Sequence, residues 1–316
     1  MGVSAACHRF FLQANQSRKF AGTLVTLGRQ EIWITGADFD KTAKEMGAPL
    51  RAAARDEDRI LKGQFSKNYL DDRTYFHSMG FDTYKSLDAD SYEGADILFD
   101  LGTSELPDEL RESADTVIDI GVLEHCFDIP AAFKNIFGLL KVGGRAIFFN
   151  PTIQSIDTSF YFFQPTLFHD YFKANGWRLD RICIYAFPQG KWHNDECNTI
   201  IEYEPGLMDL NAYGLDGRRY GVHIVVTKLP DSTFDKIPNQ RRYKEVWEMT
   251  QIMPELNRIL TNNSLAVAKV ASTVDFDRLV EIVRLRLAND ALRGKPQSES
   301  TERLRQIVQM YLPPKP

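Results

Sequence analysis

Glu124, His125 and Asp128 lie within one five-residue stretch, and imidazole and carboxylate groups are good metal ligands. Neighbours on a helix point about 100° apart, however, so a shared metal ion is disfavoured and none is assigned. A histidine with an unperturbed pKa of about 6.5 can remove a proton at neutral pH, which makes His125 a candidate general base. A second cluster, Lys191-Trp192-His193-Asn194-Asp195-Glu196, offers His193 as an alternative base. Its carboxylates and Trp192 suit the binding of a polar hydroxyl compound. A third stretch, 157–165, carries Phe160, Tyr161, Phe162 and Phe163, whose rings can stack on a flat or sugar-like face. Tyr161, Phe163 and Trp192 are therefore the candidate acceptor contacts. His223, inside a β-rich run, and His169, on an amphipathic helix, are read as structural. The four cysteines form no CxxC pair, which disfavours a metal knuckle or a disulfide framework.

The elements that must position these groups alternate. Thr23 to Leu27 is β-rich and ends at Gly28. The stretch 71–81 predicts a short helix with a glycine stop. Residues 86–102 hold one strand running into Asp88 and another into Asp100. Val117 to Ile120 is the centre of a strand ending at Gly121. Phe133, Ile136, Phe137 and Leu140 recur at helical spacing after Pro130. Lys141-Val142-Gly143-Gly144 is expected to stop that helix. Residues 145–151 then predict a buried strand broken by Pro151. A helix over 165–177 and strands over 181–187 and 221–229 follow. Strand and helix alternation of this kind implies a parallel sheet with helices on both faces.

Two motifs in order carry a resemblance. Asp119-Ile-Gly-Val-Leu-Glu-His125 is followed at helix distance by Leu139-Leu-Lys-Val-Gly-Gly144. Together they resemble the fourth- and fifth-strand motifs of class I S-adenosylmethionine-dependent methyltransferases. The resemblance covers about residues 20–230. It implies a Rossmann-like seven-stranded α/β sheet, closed by two antiparallel strands supplied by 181–187 and 221–229. It also implies S-adenosylmethionine as cofactor. Leu27, Gly28, Arg29 and Gln30 would form the cofactor turn, with Arg29 or Gln30 meeting the methionine carboxylate. Asp88 would take the ribose hydroxyls, since a carboxylate has two acceptor oxygens for a vicinal diol. Asp100 and Leu101 would lie near the adenine, and Ile120, Gly121 and His125 beside the methionine part. Strand carboxyl ends in open parallel sheets converge on one crevice.

The sequence departs from that pattern in two ways. The glycine loop shrinks to Gly28-Arg29-Gln30, and about 60 residues separate strands one and two. A dinucleotide fingerprint needs GxGxxG and an acid roughly 20 residues on, so a dehydrogenase is disfavoured. The expected activity is O-methylation of a small polar or saccharide-like acceptor. The competing reading is a catalytically inactive, methyltransferase-like scaffold that binds a protein partner through its tail.

Composition fits an ordinary globular chain, with 26% charged and 43% hydrophobic residues among 316. A net charge of −5 argues against a dedicated nucleic-acid binder. From Thr233 onward 14 Lys and Arg face 10 Asp and Glu, a net of +4, which leaves −9 on the first 232 residues. No apolar run approaches the roughly 18 residues of a membrane span. The opening MGVSAACHRFF has no signal-peptide core, so a cytoplasmic location is expected. The expected organisation is one domain over 1–230, with an insertion at about 40–70 and a lid-like loop at 188–220. A helical extension over 231–316 follows. Its apolar faces, 276–287 and 304–311, would pack on the domain or on a second copy of the chain in a homodimer.

Overall fold

The computed structural model describes residues 2–48, 50–51, 69–153, 158–188, 197, 199–203, 205, 218–241 and 243. His193, Trp192, residues 52–68 of the anticipated insertion and the tail helices lie outside the described residues. The chain divides into two compact units, Met1–Tyr203 with Asn211–Pro238, and Glu204–Leu210 with Asn239–Pro316. All elements below belong to the first.

In chain order they are β1 (Gly2–Val3), α1 (Ala5–Ser17), β2 (Thr23–Leu27), β3 (Glu31–Ile32), α2 (Gly36–Met46) and α3 (Asp72–Met79). Next come β4 (Thr83–Asp88), β5 (Ile97–Leu98), β6 (Ala114–Ile120), α4 (Ile129–Leu139) and β7 (Leu140–Ile153). The series closes with α5 (Pro165–Ala174), β8 (Arg178–Ala186), β9 (Thr199–Glu202) and β10 (Tyr220–Thr227). Side-chain caps start four of the helices: Ser4 accepts from the Cys7 amide, Thr35 from Asp38, Asp71 from Thr74 and Asp128 from Ala131. Among the described residues no helix is long and apolar enough to cross a membrane.

The main sheet has eight strands in the order β5-β4-β2-β6-β7-β10-β8-β9. The first five are mutually parallel. β10 runs antiparallel to both β7 and β8, and β9 antiparallel to β8. This doubly wound, Rossmann-like α/β sheet differs from expectation in two details. Of the two closing strands only β10 opposes the parallel set, because β8 pairs antiparallel with β10 and so runs with the others. The edge strand β9, inside the anticipated 188–220 loop, makes an eighth.

The two motif regions also adjust. β7 begins at Leu140 and passes through Pro151 to Ile153, so the proline does not break it. Pro151 lies opposite Gly221, where the register shifts and one extra residue is accommodated; such a bulge tolerates a residue with no N–H. Gly221 itself is required by a ring: a Cβ there would come within 2.5 Å of the Tyr185 ring.

Two layers of aromatic side chains cover the sheet. Phe148 faces α4 and α5, within 5.3–6.3 Å of Phe133, Phe168 and Phe172. Its neighbour Phe149 faces the other way, toward Phe11 of α1 at 5.2 Å and His223 at 4.4 Å. Alternation along β7 thus loads both faces. The chain leaves β2 toward β4 on one side and enters β6 on the other, so the order reverses between β2 and β6. Ligands of open sheets bind outside the strand carboxyl ends at such a point.

Candidate cofactor and acceptor site

Gly28 stands at that reversal. Its φ of +69° is in the left-handed region, which glycine adopts freely. A Cβ on it would lie 2.9 Å from Val122 Cγ2 and 3.8 Å from an Asp88 carboxylate oxygen. The ends of β2, β4 and β6 therefore meet around one bare backbone position.

Side chains rather than further glycines hold this turn. Thr26 Oγ1 donates to the Gly28 carbonyl at 2.9 Å. Gln30 Nε2 donates to the Leu27 carbonyl at 2.8 Å and to the Gly28 carbonyl at 3.3 Å. Gln30 is buried, and its Oε1 has no partner among the described residues. Arg29 turns away to the buried Asp72, with Nε 3.0 Å from the carboxylate, and to the Glu93 carbonyl at 3.1 Å. That ion pair with Asp72 raises the Arg29 pKa above its ordinary value. The chain then forms β3 before α2 starts at Gly36, so no helix N-terminus directly follows the turn.

Asp88 ends β4, with one carboxylate oxygen bonded to the Ala89 amide at 2.7 Å. Asp100 lies two residues past β5. It accepts from the Thr103 hydroxyl and the Gly102 amide, which lower its pKa. Leu27, Leu101, Ile120 and Gly121 are buried beneath these ends.

Under Gly121 lies a group that spacing did not reveal. Asp119 is fully buried and accepts from the Val122 and Leu123 amides. Its other oxygen takes a bond from Asn150 Nδ2 at 2.6 Å, and the same amide nitrogen reaches Glu124 at 2.9 Å. Burial pushes both carboxyls above their ordinary range. The Asp119 charge raises Glu124 further, so Glu124 keeps its proton the longer. Asn150 joins the pair only because β6 and β7 are neighbours.

Leu123-Glu124-His125 forms its own short 3-10 turn, and α4 starts separately at Ile129. His125 is exposed, and desolvation lowers its pKa, leaving a neutral imidazole at pH 7. The aromatic stretch is tied to this turn. The Phe160 and Tyr161 amides donate to the Glu124 carbonyl, and the Tyr161 hydroxyl donates to the Phe127 carbonyl at 2.9 Å. Phe127 and Phe160 meet edge to face at 5.6 Å and are 75% and 67% exposed. Phe163 is buried behind Tyr161 against Phe168. Exposed ring surface is thus supplied by Phe127 and Phe160 and, to a lesser extent, by Phe162. Phe127 was missed because it sits outside the aromatic run. Among the described residues no three His, Cys, Asp or Glu side chains gather to hold a metal ion.

No protein-family model and no curated protein matches the sequence. Solved structures do resemble it. One is TehB from Haemophilus influenzae, at 11% identity and a TM-score of 0.36 over 71% of this chain and 63% of that one. Another is the O-methyltransferase of a trans-AT PKS multienzyme from Brevibacillus brevis, in complex with S-adenosyl-L-homocysteine. It is 12% identical with a TM-score of 0.36 over 72% of each chain. A third is the Burkholderia thailandensis 1,6-didemethyltoxoflavin-N1-methyltransferase, at 13% and 0.34 over 70% of this chain and 76% of that one. The match spans less than two thirds of the TehB chain. At these values the site must be interpreted from its own residues.

Proposed function

We propose that the protein is an S-adenosylmethionine-dependent methyltransferase acting on a hydroxyl of a small polar or saccharide-like acceptor. The observation that carries this reading is the convergence of the left-handed Gly28 turn, the Asp88 carboxylate and Val122 at the reversal of strand order. Here Leu27, Gly28, Ile120 and Gly121 would line the cofactor's path. Asp88 would accept from the ribose hydroxyls, and Asp100 with Leu101 would flank the adenine. The cofactor supplies an electrophilic sulfonium methyl, so the chain needs no covalent nucleophile. Its tasks are alignment of the acceptor and removal of the hydroxyl proton. His125 is neutral and exposed beside the crevice, which suits the second task. Tyr161 with Phe127 and Phe160 would stack on the acceptor. His193 and Trp192 are further candidates, from sequence. All four cysteines are free thiols, in keeping with the cytoplasmic location we assign.

One observation favours an inactive scaffold instead. Arg29 and Gln30, the groups expected at the methionine carboxylate, are both engaged elsewhere. Isothermal titration of the full-length protein with S-adenosylmethionine and S-adenosylhomocysteine separates the readings. Micromolar binding of either supports the enzyme; no binding by a folded sample supports the scaffold.

A further inference from the structure

The opposite end of the sheet carries a different site. A cavity of about 330 Å³ opens between the last turns of α1 and the strands β7, β8 and β10. Arg18, Arg145, Arg178 and Arg181 line it, with Asp180 as the one carboxylate. A second cavity of about 240 Å³ shares Arg18 and Arg145 and adds Lys19 and Asp115, whose carboxylate is taken by Lys141.

The charges do not cancel. Asp180 is taken by Arg178 Nε and the Thr227 hydroxyl. Arg181 pairs with Glu202 and donates to Gln13. Arg18 and Arg145 make no ion pair among the described residues. Arg145 is only 4% exposed. It gives one hydrogen bond, to the Ala14 carbonyl at 3.1 Å, and lies over the Phe20 ring at 4.6 Å. Its Nε is buried with no partner. Burial, and then the charge of Arg18, pull the Arg145 pKa down to about 10. A guanidinium has five donors and no acceptor, and burying one without an anion is costly. Orphaned buried donors of this kind mark the place of an absent ion or ligand.

We infer that this cavity binds a small phosphate-bearing molecule, with its dianion held by Arg18 and Arg145. Lys19 lines the adjoining second cavity, and Phe10, Ala14 and Val225 provide an apolar wall for the organic part. Two unpaired guanidinium groups match the charge of a phosphomonoester, about −1.5 to −2 at pH 7. The cavity is larger than one phosphate ion requires. The inference does not depend on the methyltransferase reading, since no residue is shared with the crevice.

The test is calorimetry and thermal melting of the full-length protein with phenyl phosphate, inorganic phosphate, benzoate and sodium chloride at matched ionic strength. Phenyl phosphate is expected to bind tightest and to raise the melting temperature most. Arg18→Ala alters an exposed residue, so the fold survives, and phosphate affinity should drop about tenfold or more. Arg145→Met should abolish binding; if that variant fails to fold, Arg18→Ala decides alone. Equal stabilisation by sodium chloride, or unchanged affinity in Arg18→Ala, overturns the site. Equal affinity for phenyl phosphate and inorganic phosphate overturns the organic part of the ligand.

Discussion

The two ends of one sheet handle charge differently. At the carboxyl ends of the parallel strands stand Asp88, Asp100, Asp119 and Glu124. At the other end stand Arg18, Arg145, Arg178 and Arg181. Backbone amides settle several of the carboxylates: Asp100 takes the Gly102 N–H, and Asp119 those of Val122 and Leu123. The arginines need acceptors instead: Arg178 and Arg181 find carboxylates, whereas Arg145 finds a single carbonyl. A loop that has just left a strand presents free N–H groups, which stabilise acids locally. Uncompensated guanidinium charge has to look outside the chain.

Four measurements break or sharpen this contrast. The largest effect is expected for His125→Ala. Turnover should drop ~100-fold or more, as for loss of a general base, with cofactor affinity nearly unchanged. Because desolvation lowers the His125 pKa, the parent rate should hold through the ordinary histidine range and decline only at a pH below it, where the imidazole gains a proton. A wild-type rate in the variant would move the base to His193. Next, Asp88→Ala should weaken S-adenosylmethionine binding roughly ten- to a hundredfold in calorimetry. Arg18→Ala, at the other end, should leave that affinity alone; equal losses would mean the two ends are not separate sites.

The third effect is on stability against pH. The raised Glu124 carboxyl binds its proton more tightly folded than unfolded. Its contribution is complete below the ordinary carboxylate range and is lost as pH rises through the raised value. Glu124→Gln should flatten that decline. It should melt higher than the parent at pH 9, by at least ~1 kcal/mol of stability, since a tenfold difference in proton affinity between folded and unfolded chain is worth about 1.4 kcal/mol. Parallel melting curves from pH 5 to 9 would show that Glu124 ionises normally. The smallest effect is expected for Phe160→Ala. Stability should stay within about 0.5 kcal/mol, as for an exposed side chain, while acceptor KM rises a few-fold. An unchanged KM would remove this ring from the acceptor wall.

Much of the sheet was legible because its signals are local. β2, β4 and β6 lie where β-rich runs end at Gly28, Asp88 and Gly121. Asp71 and Asp128 cap the starts of α3 and α4, and α5 begins at Pro165, residues whose chemistry starts helices. Other elements gave weaker signals. β1 and β3 are two residues each and exist only by pairing with one another. β9 depends on β8 for its place, and the passage through Pro151 depends on Gly221 across the strand.

The candidate site divides along the same line. Residue type and order alone placed Gly28, Asp88, Asp100 and Gly121 at strand ends, because in a parallel sheet each strand's last residues face the same edge. Only the fold decided which of them are free. It turned Arg29 to Asp72, 43 residues away, and joined Asn150 to Asp119 and Glu124. It also gathered Arg18 and Arg145 around a common cavity. Backbone conformation and apolar periodicity are short-range and survive in the linear pattern. Partnership between charges is set by which strands and helices become neighbours, and no spacing along the chain encodes it.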